Sequence, residues 1–261
     1  PRKDHDIFYA AWLSLSQIEV SIKQIAYYIS SHGYGHAARS IPILKKLAGN
    51  YGIHIKTKIN GDFFPSDMKC SMTPQDLDVG CIQKSFIHTD TEKTLQQLGL
   101  FYKDHADRLS AETRWLEENR IDLILSDVPS FPLKAGKALG IPRFVMSNFT
   151  WYDIYNAFPE AKKWKNILDV VKNEYASATL QFLPQCHIPS DVIANQETIG
   201  FVSMRGENIR KDLERLFPDK IEGKTLVYVY FGHFDSSSIQ WGNIEKLTDC
   251  AFITRDMLSR P

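Results

Sequence analysis

The chain has 261 residues, 43% hydrophobic and 24% charged, the composition of a globular protein with room for one large or two modest domains. Lys+Arg and Asp+Glu both total 31, so charge makes no case for nucleic acid or an anionic membrane as partner. Cys70, Cys81, Cys186 and Cys250 form no C-x-x-C pair, and no apolar run reaches the roughly 18 residues of a membrane span. A zinc site, a disulfide framework and a transmembrane helix are therefore not expected, and a reduced, cytoplasmic setting is.

Residues 1–24 mix charges and aromatics without a period or a signal-peptide pattern, and read as an N-terminal extension of uncertain role. Residues 24–30 read as a buried strand running into Ser-Ser-His-Gly-Tyr-Gly-His, and residues 37–48 as a helix. Residues 54–59 alternate as a second strand, while 60–90 read as loop with at most short elements. Residues 91–119 form one long amphipathic pattern, with Leu95, Leu98, Phe101, His105, Leu109, Thr113 and Leu116 on one face. Strand 121–126, loop 127–132, a helix to Leu139, Gly140 as its stop and strand 143–147 follow in close order. Residues 160–180 read as helical, with short strands at 180–183, 192–194 and 197–199.

Repeated strand–helix–strand units predict an α/β fold: a Rossmann-like parallel sheet with helices on both faces, followed by the start of a second Rossmann-like domain. The expected boundaries are 25–200 for the first domain, 201–223 for a linker and bridging helix, and 224–261 for the opening of the second. Arg205, Arg210 and Arg215 read as a solvated helix face in the linker. A strand at 225–231, running into Gly232-His233 and the serines 236–238, repeats the plan of residues 25–36. In such sheets ligands bind outside the carboxyl ends of the strands, where the loops at 30–37, 126–132 and 148–151 should meet.

Taken in order, SHGYGHAAR, DLILSDVPSFPLKAGKALGIP, SNFTW and VYVYFGHFDSS resemble the GT-B glycosyltransferases of the MurG and UDP-glycosyltransferase kind. They also resemble the glycosyltransferase-like N-terminal part of plant arabinokinases. The likeness covers about residues 24–240. It implies an acceptor-binding first domain and a second domain that holds a nucleotide-sugar donor such as a UDP-sugar. It further implies metal-independent transfer with no resident cofactor. The later donor loops of that family are not found before Pro261, and Gly232-His233 stands where relatives often carry paired glycines. A fragment with a truncated donor domain is therefore the expectation, with self-association through exposed Leu226, Val227, Val229 and Phe231.

The resemblance puts His36 where relatives carry the base that deprotonates the acceptor hydroxyl, and Asp127 where an acid orients that base. Read from the residues alone, His36 could instead cap its helix, and Asp127 could be the N-cap of the 131–139 helix. His32 is a contact for acceptor or phosphate, or an exposed loop histidine. Gly33 and Gly35 allow close backbone approach, which a plain turn would need as well. Arg39 could reach a phosphate or carboxylate, or lie on a helix surface. Asn148, Phe149 and Trp151 could contact a sugar ring, with Trp151 alternatively in the core. Gly232, Ser236 and Ser237 could offer backbone N–H groups to donor phosphates. The expected function is transfer of a sugar from a nucleotide-sugar donor to an acceptor that the residues do not identify, including an acceptor at a membrane surface. The alternatives are a non-catalytic sugar-binding or regulatory module of a larger protein, and a nucleotide-sugar epimerase.

Overall fold

The computed structural model describes residues 23–85, 87–204, 206–230 and 241–254. Gly232, Ser236 and Ser237, expected at donor phosphates, lie outside these residues, as does most of the 1–24 extension. The chain divides into two compact units, one of Pro1–Ile82 with Thr91–Met204 and one of Gln83–Asp90 with Arg205–Pro261.

The first unit is built on a seven-stranded sheet in the order β3-β2-β1-β4-β5-β6-β7, every pair parallel. Its strands are β1 (Gln24–Ile29), β2 (Gly52–Lys56), β3 (Ser71–Thr73), β4 (Leu123–Asp127), β5 (Arg143–Met146), β6 (Leu180–Leu183) and β7 (Gln196–Thr198). Side chains of β1 alternate between two cores. Ile25, Tyr27 and Ile29 pack with Ile41 and Leu44 of helix α1 (Tyr34–Leu47), whereas Ala26 and Tyr28 face the opposite core. That core takes side chains from α2 (Thr91–Phe101), α3 (His105–Glu118), α4 (Phe131–Ala138), α5 (Trp151–Asn156) and α6 (Lys165–Tyr175). A parallel sheet with helices on both faces is thus what the alternating pattern builds.

Strand order reverses between β1 and β4, where Ile29 is in register with Asp127. Connections leave to opposite sides at such a point, and the carboxyl ends of the two strands border a crevice. Both β1 and β4 stop there, which brings the loops after them together.

Several elements differ from the sequence expectation. The second strand ends at Lys56 rather than residue 59, because the Thr57 hydroxyl accepts a hydrogen bond from Ile59 N (3.2 Å) and turns the chain. Residues 71–73 of the expected loop pair with β2. The single helix expected over 91–119 breaks between Phe101 and His105, and the break points the Tyr102 hydroxyl inward. Residues 192–194 form no strand; Val192 and Ile193 are buried in the core instead.

In the second unit, α7 (Arg210–Leu216) and α8 (Pro218–Ile221) precede two parallel strands, β8 (Thr225–Val229) and β9 (Cys250–Thr254). Arg205 lies outside the described residues, and Arg210, its side chain 38% exposed, is tied down on the surface of its helix. It donates to Glu214 Oε1 (2.7 Å) one turn on and to the Lys224 carbonyl (2.8 Å), while Arg215 stays exposed and pairs with Asp212. Leu226, Val227 and Val229 are half-buried, the exposed apolar area of the strand comes from Tyr228 instead, and Phe231 lies outside the described residues.

One buried carboxylate holds the end of the loop after β4. Glu174, 1% exposed near the end of α6, accepts from Tyr102 Oη (2.6 Å) and from Ser130 Oγ (2.6 Å), the residue just ahead of α4. Its neighbour Tyr175 donates to the Val128 carbonyl (2.7 Å) in the same loop. The other Glu174 oxygen, Oε1, lies 3.1 Å from His105 Nε2. Burial raises the Glu174 carboxyl to about 7, against the hydrogen bonds from Ser130 and Tyr102 and the charge of Lys134, which lower it. A carboxyl raised in this way keeps its proton in the folded state where the unfolded chain has lost it. Its contribution to stability therefore falls as pH rises from 4.5 to about 7, by about 3 kcal/mol in all. Glu174→Gln should remove that loss. Thermal melts of wild type and variant should diverge across this interval, the wild type losing more; parallel curves would contradict the assignment.

Candidate active site

Positive φ at Gly33 (88°) turns the chain from β1 into α1, a conformation that favours glycine. The helix starts at Tyr34, three residues earlier than the sequence pattern suggests, so His36 is on its first turn and Arg39 on the next. Spaced three apart, the two share a helix face. Gly35, also inside the helix, has no steric need to be glycine: an added Cβ would meet nothing within 4 Å.

That face meets the end of β4. Asp127 has no exposed surface, and its carboxylate is surrounded by donors. Arg39 reaches it as a fork, Nε to Oδ2 at 2.6 Å and Nη2 to Oδ1, and Ser40 Oγ donates to Oδ2 at 3.2 Å. His36 Nδ1 lies 2.9 Å from Oδ1. Burial pushes the Asp127 carboxyl up, but the hydrogen bonds and charges of Arg39 and His36 outweigh it and hold it below the usual range. Arg39 responds in kind: burial lowers its guanidinium, and Asp127 more than restores it.

Asp127 is therefore no helix cap. Ser130 occupies the cap position of α4, and the carboxylate points to α1. His36, only 8% exposed, packs edge-on to Phe149 with ring centroids 6.0 Å apart. Its Nδ1 has two polar neighbours, Asp127 Oδ1 and Arg39 Nη2 at 3.0 Å. Arg39 can only donate and an ionised carboxylate can only accept. With the guanidinium already forked onto the carboxylate, a proton on Nδ1 satisfies the close Asp127 oxygen. That tautomer leaves the Nε2 lone pair for chemistry.

The remaining expected residues fall into place around this pair. Arg39 Nη1 donates to Asn148 Oδ1, and Asn148 Nδ2 donates to the carbonyls of Gln185 (3.2 Å) and Cys186 (3.4 Å). Arg39 is thus committed to Asp127 and Asn148, and the carboxylate it reaches is internal. His32 is half-buried over Gly80, where an added Cβ would stand 2.3 Å from its ring, and its Nδ1 accepts from Cys81 N (3.4 Å). Burial first, and then the nearby His36, lower its pKa. Trp151, 4% exposed, belongs to the core: it stacks on Tyr155 (centroids 5.5 Å, interplanar 9°) and meets the edge of His32. Phe149, half-exposed between His36 and Trp151, is the aromatic side chain left next to the imidazole.

Ser40, Asp78 and Ser30 were not singled out by sequence. Ser40 completes the Asp127 shell, and its position one residue past Arg39 on the same helix was the available signal. Asp78 lies in the segment read as loop, where no spacing marks it. Among the described residues no cluster of three or more His, Cys, Asp or Glu side chains could hold a metal ion, and no helix is long and apolar enough to cross a membrane.

No family model matches the chain. Among curated proteins it is similar to the L-arabinokinase of Arabidopsis thaliana, with 26% identity over 199 residues; these cover 72% of this chain and 19% of that protein. The chain thus corresponds to about a fifth of that relative's length. Among solved structures it is similar to a glycosyltransferase of kitacinnamycin (TM-score 0.55, 13% identity, 91% of this chain and 67% of that one). It is also similar to UGT89C1 of Arabidopsis thaliana complexed with UDP (TM-score 0.53, 13% identity, 89% and 66%). A third is the spinosyn rhamnosyltransferase SpnG complexed with thymidine diphosphate (TM-score 0.51, 11% identity, 89% and 65%). At these identities the likeness speaks to architecture. In fold, the chain is of the GT-B glycosyltransferase kind.

Proposed function

We propose that this chain is the acceptor-activating part of a glycosyltransferase that moves a sugar from a nucleoside diphosphate to a hydroxyl group. The observation that carries this reading is the His36–Asp127 contact, 2.9 Å long, at the switch point of the sheet. His36 Nε2 takes the proton of the acceptor hydroxyl as its oxygen attacks the anomeric carbon. The new C–O bond forms as the bond to the diphosphate breaks, and the diphosphate leaves with that electron pair. Asp127 holds the tautomer and stabilises the imidazolium that results. Arg39 keeps Asp127 ionised, and Gly35 leaves open backbone beside the base.

The donor class is supported by the nucleotides of two structural neighbours, UDP in UGT89C1 and thymidine diphosphate in SpnG. Gly232, Ser236 and Ser237 remain the residues proposed for the donor phosphates, and a reduced, cytoplasmic setting remains the proposed location. A second reading, a non-catalytic sugar-binding module within a larger protein, is favoured by the likeness to L-arabinokinase, of which the matched region is so small a share.

Release of UDP or TDP from their sugar conjugates, assayed with a panel of phenolic and sugar acceptors, separates the two. Acceptor-dependent release should occur and should fall about 10²–10⁴-fold in His36→Ala with the fold intact. No release with any acceptor would count for the module, whereas release at an unchanged rate in the variant would remove His36 as the base. Asp127→Asn should also slow release, because a neutral amide no longer favours the Nδ1–H tautomer. Asp127→Ala should in addition cost about 3–5 kcal/mol in chemical denaturation, since it leaves Arg39 buried without its carboxylate. A loss under 1 kcal/mol would show that Arg39 finds solvent or another partner.

A further inference from the structure

The segment at residues 78–81 has no regular secondary structure, yet it touches the β1–α1 loop at several points. Asp78 Oδ1 accepts from Ser30 Oγ (3.1 Å), the first residue past β1. That hydroxyl oxygen in turn accepts from the backbone N–H of His32 (3.2 Å). Asp78 Oδ2 accepts from the indole Nε1 of Trp151 (3.0 Å), the first residue of α5. Gly80 lies against the His32 ring, Cys81 N donates to His32 Nδ1, and the Gly80 carbonyl accepts from Tyr155 Oη (2.9 Å). Gly80 also has positive φ (62°), so a side chain there would be strained as well as obstructed.

We propose that Asp78 is a positioning residue for His36, its carboxylate tying the start of the β1–α1 loop to the aromatic wall that the imidazole rests on. The role rests on the function proposed above. Two routes lead from Asp78 to His36. One runs through the backbone, from Ser30 and His32 to Gly33 and the first turn of α1. The other runs through packed rings, from Trp151 to Phe149 (centroids 5.0 Å) and from Phe149 to His36 (6.0 Å). A carboxylate suits the task because both partners are donors, and an ionised carboxyl group can accept from both at once. Leucine would offer no acceptor. Asparagine would offer one oxygen and turn its NH₂ toward the other donor. Asp78 keeps part of its surface in solvent; burial of the rest raises its carboxyl above the usual range, opposed by the bonds from Trp151 and Ser30 and the charge of His36. Asp127, its acidic neighbour in the site, adds to the rise.

The side chain itself is not expected to touch substrate, so the test needs a readout at His36 as well as turnover. In the ¹⁵N-labelled full chain, Asp78→Asn should shift two sets of resonances: the Trp151 indole N–H, assigned by its loss in Trp151→Phe, and the ring signals of His36, assigned by their loss in His36→Ala. Turnover of a UDP-sugar with a responsive acceptor should fall about tenfold or more in kcat, with the acceptor KM little changed, because the imidazole is displaced rather than the acceptor pocket. In a His36→Ala background the same substitution should cost nothing further.

If Asp78→Asn does not fold, Ser30→Ala removes one of the two bonds at less cost, and it should move the His36 signals in the same direction. A folded Asp78→Asn in which the indole signal moves and the His36 signals stay in place would overturn the proposal. So would unmoved His36 signals in Ser30→Ala when Asp78→Asn cannot be made, or a full additive loss on top of His36→Ala. Absence of turnover in wild type would refute the proposed function while leaving the resonance test of Asp78 intact.

Discussion

A carboxylate with no exposed surface stands at the end of β4, and the surrounding site is organised by the need to keep it charged. Leaving Asp127 ionised in the interior would cost several kcal/mol without partners. It has a forked guanidinium, an imidazole N–H and a hydroxyl, all from three helix residues within five positions of one another. Because β1 and β4 are adjacent and parallel, with Ile29 opposite Asp127, the start of α1 has to face this acid. The same compensation that stabilises the fold therefore fixes the tautomer and direction of His36. Function and stability share one set of bonds, so Arg39 is occupied as a structural clamp and is not spare charge for a phosphate.

The surroundings repeat the theme at a second layer. Behind Asp127, the loop to α4 is held by Glu174 and Tyr175 from the end of α6. Beside His36, the loop from β1 is held by Asp78 and braced by the packed rings of Trp151, Tyr155 and Phe149. A further buried pair, Lys56 with Glu112 (2.7 Å), lies among side chains of the sheet and α3, with the Lys56 ammonium 3.5 Å from the Trp115 ring centroid. Burial lowers the Lys56 pKa, and Glu112 opposes the fall. Among the described residues, Asp127, Lys56 and Glu112 are buried in pairs, and the bonds at Asp127 and Glu174 fix loops that carry the proposed chemistry.

Much of this was legible from sequence for a physical reason. Buried parallel strands are short apolar runs, and residues 24–30, 121–126 and 143–147 announce themselves within one or two residues of their observed ends. His36 and Asp127 were legible because each sits next to such a run, at a carboxyl end where parallel sheets bind ligands. Asp78, Ser30 and Glu174 were not. Ser30 and Asp78 meet across 48 residues and Glu174 reaches Ser130 across 44, and the segment carrying Asp78 is irregular, so no local period records these contacts. The break between α2 and α3 was missed because its face stays apolar across it; only the inward turn of Tyr102 to Glu174 explains it. Trp151 shows the opposite failure. An aromatic residue in a site loop reads equally well as a stacking platform or as core, and its burial among His32, Phe149 and Tyr155 decides for core.

The central claim is that Asp127 presents His36 with its Nε2 lone pair free. Long-range ¹H–¹⁵N correlation of the imidazole, with His36 assigned by its loss in His36→Ala, reads this directly, since protonated and unprotonated ring nitrogens differ widely in shift. At a pH where the ring is neutral, the account predicts the proton on Nδ1 and an unprotonated Nε2, and it predicts that Asp127→Asn weakens this preference. A neutral His36 with its proton on Nε2 would contradict the account, because that ring could neither satisfy Asp127 nor accept a proton from an incoming hydroxyl.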